Sequence, residues 1–219
     1  MSIQSPQTRA FVYFPQTQSK HFVGSGKRNK QTLKESKMSP DFQIITSRLC
    51  LRLINANEAE PLAKLIRTSP SLHQWVDWCH ADFTLKEAQQ FLLTTRLNWV
   101  KADGYGFGIF HRENGQLLGM VAINELYHTY NMVSIGYWIA DKYQRQGNAR
   151  EAITALVEFC FAKLQVSRIE IVCDPENLAS QKLIERCHAK RESTARHRFL
   201  FHGEPRDGVV YSLIPSDLF

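Results

Sequence analysis

The chain has 219 residues, 43% of them hydrophobic and 22% charged, with a formal net charge of +6 at pH 7. That length suits one domain with a core able to stand without disulfides or structural metals, and the composition excludes a largely disordered chain. No run approaches the roughly 18 consecutive apolar residues of a membrane helix, and the first residues lack the apolar centre of a signal peptide. The sequence therefore predicts a cytoplasmic protein without a membrane partner.

The positive charge is unevenly spread. Residues 1–40 hold seven basic side chains (Arg9, Lys20, Lys27, Arg28, Lys30, Lys34, Lys37) against Glu35 alone, which leaves twenty of each sign over residues 41–219. This stretch is rich in Ser, Gln, Thr and Lys, has no sustained period, and reads as a disordered basic extension. Such an arm can hold RNA or an acidic surface electrostatically, or simply be solvated; nothing in it points to sequence-specific nucleic-acid binding. Met38 offers an alternative start, and a single domain over 41–219 is predicted in either case. Five cysteines (Cys50, Cys79, Cys160, Cys173, Cys187) form no C-x-x-C pair and the histidines are scattered, so reduced thiols and no metal site are expected.

In chain order, periodicity begins near Ile44. Residues 49–54 alternate apolar and polar at first, as a strand does, and Asn55 or Asn57 can cap a helix over about 58–68. Pro70 ends that helix, and residues 71–83 read as an aromatic-rich loop or broken helix. Thr84 with Glu87 three residues on forms a capping box, opening a helix in which Phe91, Leu92, Leu97 and Val100 recur at helical spacing. Three strand-like runs follow, 106–111, 117–124 and 132–139, with turn signals between them, the pattern of an antiparallel meander. After a glycine-bearing loop, Ala152, Ala155, Leu156, Phe159 and Leu164 mark a helix. A strand at 168–173, a helix from about 179 to 186 and strands near 196–201 and 209–213, joined by a turn over 203–208, close the chain. The order is β-α-α-β-β-β-loop-α-β-α-β-β, without internal repeat.

The segment Gln144-Arg145-Gln146-Gly147-Asn148-Ala149-Arg150 lies between a strand and a helix. A helix N-terminus offers unpaired N–H groups and the positive end of its dipole, and so suits phosphates. Small residues at 147 and 149 let the backbone approach an anion, and Arg145 and Arg150 can add charge-assisted hydrogen bonds. Alone, such a glycine equally makes a plain turn. Neither G-x-x-x-x-G-K-S/T nor G-x-G-x-x-G occurs. The pattern present, Q/R-x-x-G-x-G/A, resembles the acyl-CoA pyrophosphate loop of the GCN5-related N-acetyltransferase (GNAT) superfamily. The resemblance covers residues 43–215 in outline. Arg48-Leu49-x-Leu51-Arg52, Ser134-Ile135-Gly136-Tyr137-Trp138-Ile139 and Asn177-Leu178-Ala179-Ser180 look like the RimJ/RimL subgroup of ribosomal-protein N-terminal acetyltransferases.

The resemblance implies an α/β (α+β) fold: a mixed, mostly antiparallel sheet with a splayed parallel strand pair and helices on both faces. It implies direct acetyl transfer from acetyl-CoA to an amine. The pantetheine arm would lie between strands 132–139 and 168–173, meeting the backbone of Trp138, Ile139 and Ala140. Residues 144–150 would hold the pyrophosphate, with Cys173 beside the arm and Asn177 touching the cofactor. Ser180 stands where the subgroup places the acid that protonates the departing thiolate; the plainer reading is a helix cap. Some relatives use a carboxylate in the C-terminal region as base, but strand 196–201 has none. Glu125, ending a central strand, is the substitute, against the plainer reading of a surface turn residue. Trp75, Asp77 and Trp78 fall where the subgroup builds its acceptor pocket, with Tyr137 as a further substrate contact, although core packing explains at least one indole. An acyl-cysteine at Cys173 is disfavoured, with no histidine adjacent in sequence. The subgroup also has Gly-Phe where this chain has His188-Ala189, so a local rearrangement is expected there.

The acceptor reading that leads is the N-terminal amine of a protein, such as a ribosomal protein. A small amine (polyamine, amino acid or antibiotic) is the alternative, since one scaffold serves many acceptors. A non-catalytic acyl-CoA-binding protein is a third reading. Pairing of the C-terminal strands between subunits would give a homodimer.

Overall fold

The computed structural model describes residues 38–218. The basic extension read over residues 1–40 thus lies, apart from its last three residues, outside the described residues. Met38 itself is buried in the main core cluster.

Eight strands form one sheet: β1 (Gln43–Ile45), β2 (Leu49–Arg52), β3 (Tyr105–His111), β4 (Leu117–Tyr127), β5 (Met132–Ile139), β6 (Arg168–Cys173), β7 (Lys190–Phe201) and β8 (Glu204–Leu213), in the order β1-β2-β3-β4-β5-β6-β8-β7. All neighbours are antiparallel except β5 and β6. Their parallel pairing is short, Met132↔Arg168 to Ser134↔Glu170, after which the two strands part. The mixed sheet and the meander agree with expectation.

Among the described residues, five α-helices accompany it: α1 (Ala59–Arg67), α2 (Pro70–Trp75), α3 (Leu85–Lys101), α4 (Asn148–Phe159) and α5 (Leu178–Arg186). Asn55 and Glu58 form a capping box ahead of α1, and Thr84 with Glu87 forms the expected one on α3, an N-cap being worth about 1 kcal/mol. Two cores result. One holds Leu62, Ile66, Phe91, Leu92, Met120 and Trp138 beneath α1 and α3. The other holds Val121, Ile123, Val133, Ile135, Ile139, Ile153 and Leu156 beneath α4. The strand period of two assigns alternate residues to the two faces. Among the described residues, no helix is long and apolar enough to cross a membrane.

Four expectations change. Pro70 ends α1 but also starts α2 at its first position, where a missing N–H costs nothing. Leu97 and Val100 are exposed; Ala88, Phe91, Leu92, Thr95 and Trp99 form the buried face of α3. The turn expected over 203–208 is the two-residue loop His202-Gly203, both with positive φ, and the flanking strands are longer than expected. Edge strand β7 is polar and mostly exposed, so it lacks the alternation that marks a half-buried strand. Finally, His188 itself takes the left-handed conformation (φ 68°) after α5, and Ala189 N–H reaches Ile184 O at 3.3 Å. The helix-ending turn that glycine favours is formed without it.

Candidate active site

The parting of β5 and β6 opens a cleft of about 570 Å³, a size typical of small-molecule sites. It brings together Trp75, Asp77, Trp78, Glu125, Tyr137, Trp138, Cys173, Asn177 and Ser180 from seven separate elements and loops. These residues stand on two sides of the sheet.

On the α4–α5 side, Tyr137 packs against the core under α4, as its odd position on β5 requires. Its hydroxyl lies 2.9 Å from Ser180 Oγ. Burial raises the Tyr137 pKa well above its ordinary value, so the phenol stays protonated. Tyr137 thus stands with Ser180 and apart from the tryptophans, contrary to its expected place in the acceptor pocket. Asn177 Oδ1 accepts the Ser180 N–H at 3.0 Å and is the cap of α5. Capping therefore falls to Asn177 and leaves the Ser180 hydroxyl for the cleft, against the plainer reading of that serine. Burial pushes the pKa of the Cys173 thiol up to about 11, with the nearby Ser180 side chain opposing. A protonated thiol is a poor nucleophile, in keeping with direct transfer.

On the other side, a β-bulge decides which residues reach the cleft. Ile123 pairs with Ile135, but Glu125 pairs with Ser134, so Asn124 is an extra residue in β4. Without it, Glu125 would share the face of Ile123 and point into the core under α4. With it, Glu125 shares the face of Ser134 and Trp138, as bulges beside active sites often arrange. Tyr127 donates a hydrogen bond to Glu125 Oε2. Desolvation raises the Glu125 pKa, with Arg198 opposing and Glu170 adding to the rise. Glu170 pairs across from Ser134 where β5 and β6 part, and it holds Arg198 in an ion pair.

Trp78 stacks on Phe91 with centroids 4.4 Å apart and meets Trp138 edge-on at 6.3 Å; it is the indole that core packing explains. Trp75 is half-buried on the cleft wall. Asp77 is engaged differently from expectation. Its Oδ1 accepts the backbone N–H of His202 and lies 3.1 Å from that residue's Nδ1, tying the β7–β8 hairpin tip to the tryptophan loop. Phe199, Phe201 and Arg198 of that hairpin complete the wall. Sequence reasoning missed these residues and Asn124: hairpin and bulge geometry leave no periodic signal in a polar segment.

The glycine loop lies at the start of α4. Gly147 is its cap residue, with φ 81° and no side-chain cap. The first-turn N–H groups are thus left for an outside acceptor. Arg145, also left-handed at φ 59°, and Arg150 are exposed beside them. Three loop side chains serve the loop itself: Gln144 donates to Ile139 O and Ser71 Oγ, Gln146 to Lys142 O, and Asn148 to Tyr143 O. Arg48 joins Gln146 O to the Glu151 carboxylate. Ala149 is small and partly buried.

Backbone along the gap differs from expectation at two residues, Trp138 and Ala140. Ala140 N–H donates to Leu118 O and its carbonyl accepts from Tyr143, so Ala140 faces β4. Alternation then aims the backbone of Tyr137 and Ile139 into the gap, and that of Trp138 towards β4. An uncapped helix start, two exposed arginines and an unpaired strand edge suit pyrophosphate followed by an amide-bearing arm. The thioester such a ligand carries supplies the acyl group. Among the described residues no three His, Cys, Asp or Glu side chains gather as a metal site.

A cleft through a splayed sheet, beside a phosphate-suited helix start, defines an acyl-CoA-dependent transferase of the GNAT class. The family model for the acetyltransferase (GNAT) domain matches residues 48–190, and the chain belongs to that family. It is an N-acetyltransferase that uses acetyl-CoA. A Vibrio cholerae structure, provisionally named a ribosomal-protein-serine acetyltransferase, is 62% identical, covers 81% of this chain and 100% of that one, and gives a TM-score of 0.77. The Bacillus subtilis protein YdaF, provisionally named a ribosomal N-acetyltransferase, is 26% identical over 79% of this chain and 94% of its own length. RimL, a ribosomal L7/L12 α-N-protein acetyltransferase solved with coenzyme A, shares the fold at 22% identity, with a TM-score of 0.71 over 79% of this chain and 98% of that one.

Proposed function

We propose that this enzyme acetylates the N-terminal α-amine of a protein, a ribosomal protein being the favoured class, by direct transfer from acetyl-CoA. The observation that carries the mechanism is the two-sided cleft. Donor-side groups (the α4 start, Tyr137, Ser180) and the acceptor-side carboxylate Glu125 stand on opposite faces of the sheet and meet at the gap. An amine entering from the tryptophan side meets Glu125, whose raised pKa makes it a stronger base than an ordinary carboxylate. The Ser180 hydroxyl, held beside the Tyr137 phenol, is the group that would protonate the thiolate released as the C–S bond breaks. Arg145, Arg150 and the α4 N–H groups hold the pyrophosphate. The names of the relatives support a protein acceptor. The test is acetyl-CoA turnover against a panel of N-terminal peptides and a library of amines. Turnover of peptides above amines is the expected result, and turnover of amines alone would refute the protein acceptor.

A further inference from the structure

One polar side chain of the cleft has no part in the chemistry just described. Asn124, the extra residue of the β4 bulge, lines the cleft next to Glu125. Its carboxamide lies over Gly136, where a Cβ would stand 2.6 Å from Nδ2. A glycine in β5 therefore makes room for this amide. Among the described residues, no hydrogen bond reaches the Asn124 side chain, and Ala122, Gly136, Trp138, Glu125 and Ser134 share its side of the cleft. A part-buried primary amide on the cleft wall with no protein partner is available to hydrogen-bond a ligand there.

An amide group offers donors and an acceptor in one plane, which matches a peptide unit. At a protein N-terminus the first carbonyl oxygen lies about 3 Å from the amine nitrogen, by ordinary bond lengths. Two adjacent residues turned to one face by the bulge offer a matching pair: Glu125 for the amine and Asn124 for the carbonyl beside it. A simple amine engages only the first. We infer that Asn124 selects peptide α-amines over simple amines by hydrogen-bonding the first peptide unit of the acceptor. This rests on the reading of Glu125's side of the cleft as the acceptor side.

The test compares a seryl peptide with its analogue in which the first carbonyl is reduced to CH2, using the full chain. Wild-type enzyme should favour the intact peptide by about tenfold or more in kcat/KM, the discrimination expected when a site built for a hydrogen bond loses its partner. Asn124→Ala should lose that preference, chiefly through a raised peptide KM, while coenzyme A affinity stays unchanged. Asn124→Asp, of the same size but unable to donate to a carbonyl, should behave likewise and serves if the alanine variant does not fold. Peptide preference retained in a folded variant overturns the assignment of Asn124 alone. A wild-type enzyme that acetylates amines and no peptide overturns both this assignment and the protein-acceptor reading.

Discussion

A methyl group at position 147 would meet two conditions that can be separated by comparison with position 115. Gly147 has φ 81° and Gly115 φ 69°, so alanine at either site is held in the left-handed region, at a cost of about 1–2 kcal/mol. The added Cβ at 147 would approach Arg48 Nη2 at 3.3 Å, the end of a flexible side chain, while at 115 nothing lies within 4 Å. Sterics therefore add little at either site, and backbone strain dominates. Gly115→Ala should lower Tm by about 2–8 °C, from 2–4 °C per kcal/mol at this chain size, and leave donor binding intact. Gly147→Ala should strain the start of α4, and its loop relieves that strain by turning its N–H groups away. Binding coenzyme A must then restore the strained form, weakening Kd by about 5- to 30-fold. Thermal unfolding and calorimetric titration with coenzyme A read the two effects. A Gly147→Ala variant as destabilised as Gly115→Ala but with wild-type coenzyme A affinity would refute the role given to the loop.

Glu125→Gln should depress turnover most between the raised pKa of Glu125 and about pH 7.5. In the wild type the carboxylate is lost only as pH falls through that raised value, whereas the variant depends on amine already neutral. The ratio of the two rates should narrow above about pH 8, where an α-amine deprotonates unaided; a ratio flat across pH would remove Glu125 as the base. Ser180→Ala should reduce kcat by about 10²-fold or more, the usual range for a positioned acid, with α5 intact because Asn177 supplies its cap. Steady-state kinetics with unchanged kcat would dismiss the serine.

Much of the fold was legible because it rests on local patterns. The Thr84–Glu87 box starts α3, and the alternating runs of β3 to β5 bury one residue in two on each face. Errors fell where local signals are silent. Leu97 and Val100 keep helical spacing without being buried, because which face of α3 meets the sheet depends on partners far away in sequence. Strand β7 takes its hydrogen bonds from β8 and needs no apolar alternation at an exposed edge.

By itself the sequence determined the donor half of this protein. The loop from Gln144 to Arg150 joins strand to helix in one short segment, and its chemistry follows from residue type and spacing. The proposed acceptor half was decided by tertiary structure. One inserted residue at Asn124 reverses the phase of β4 and turns Glu125 from the core to the cleft, while His202 reaches Asp77 across 125 residues of chain. A strand's period of two makes a side chain's face depend on every residue and bulge before it, and contacts between distant segments exist only once the sheet has brought them together.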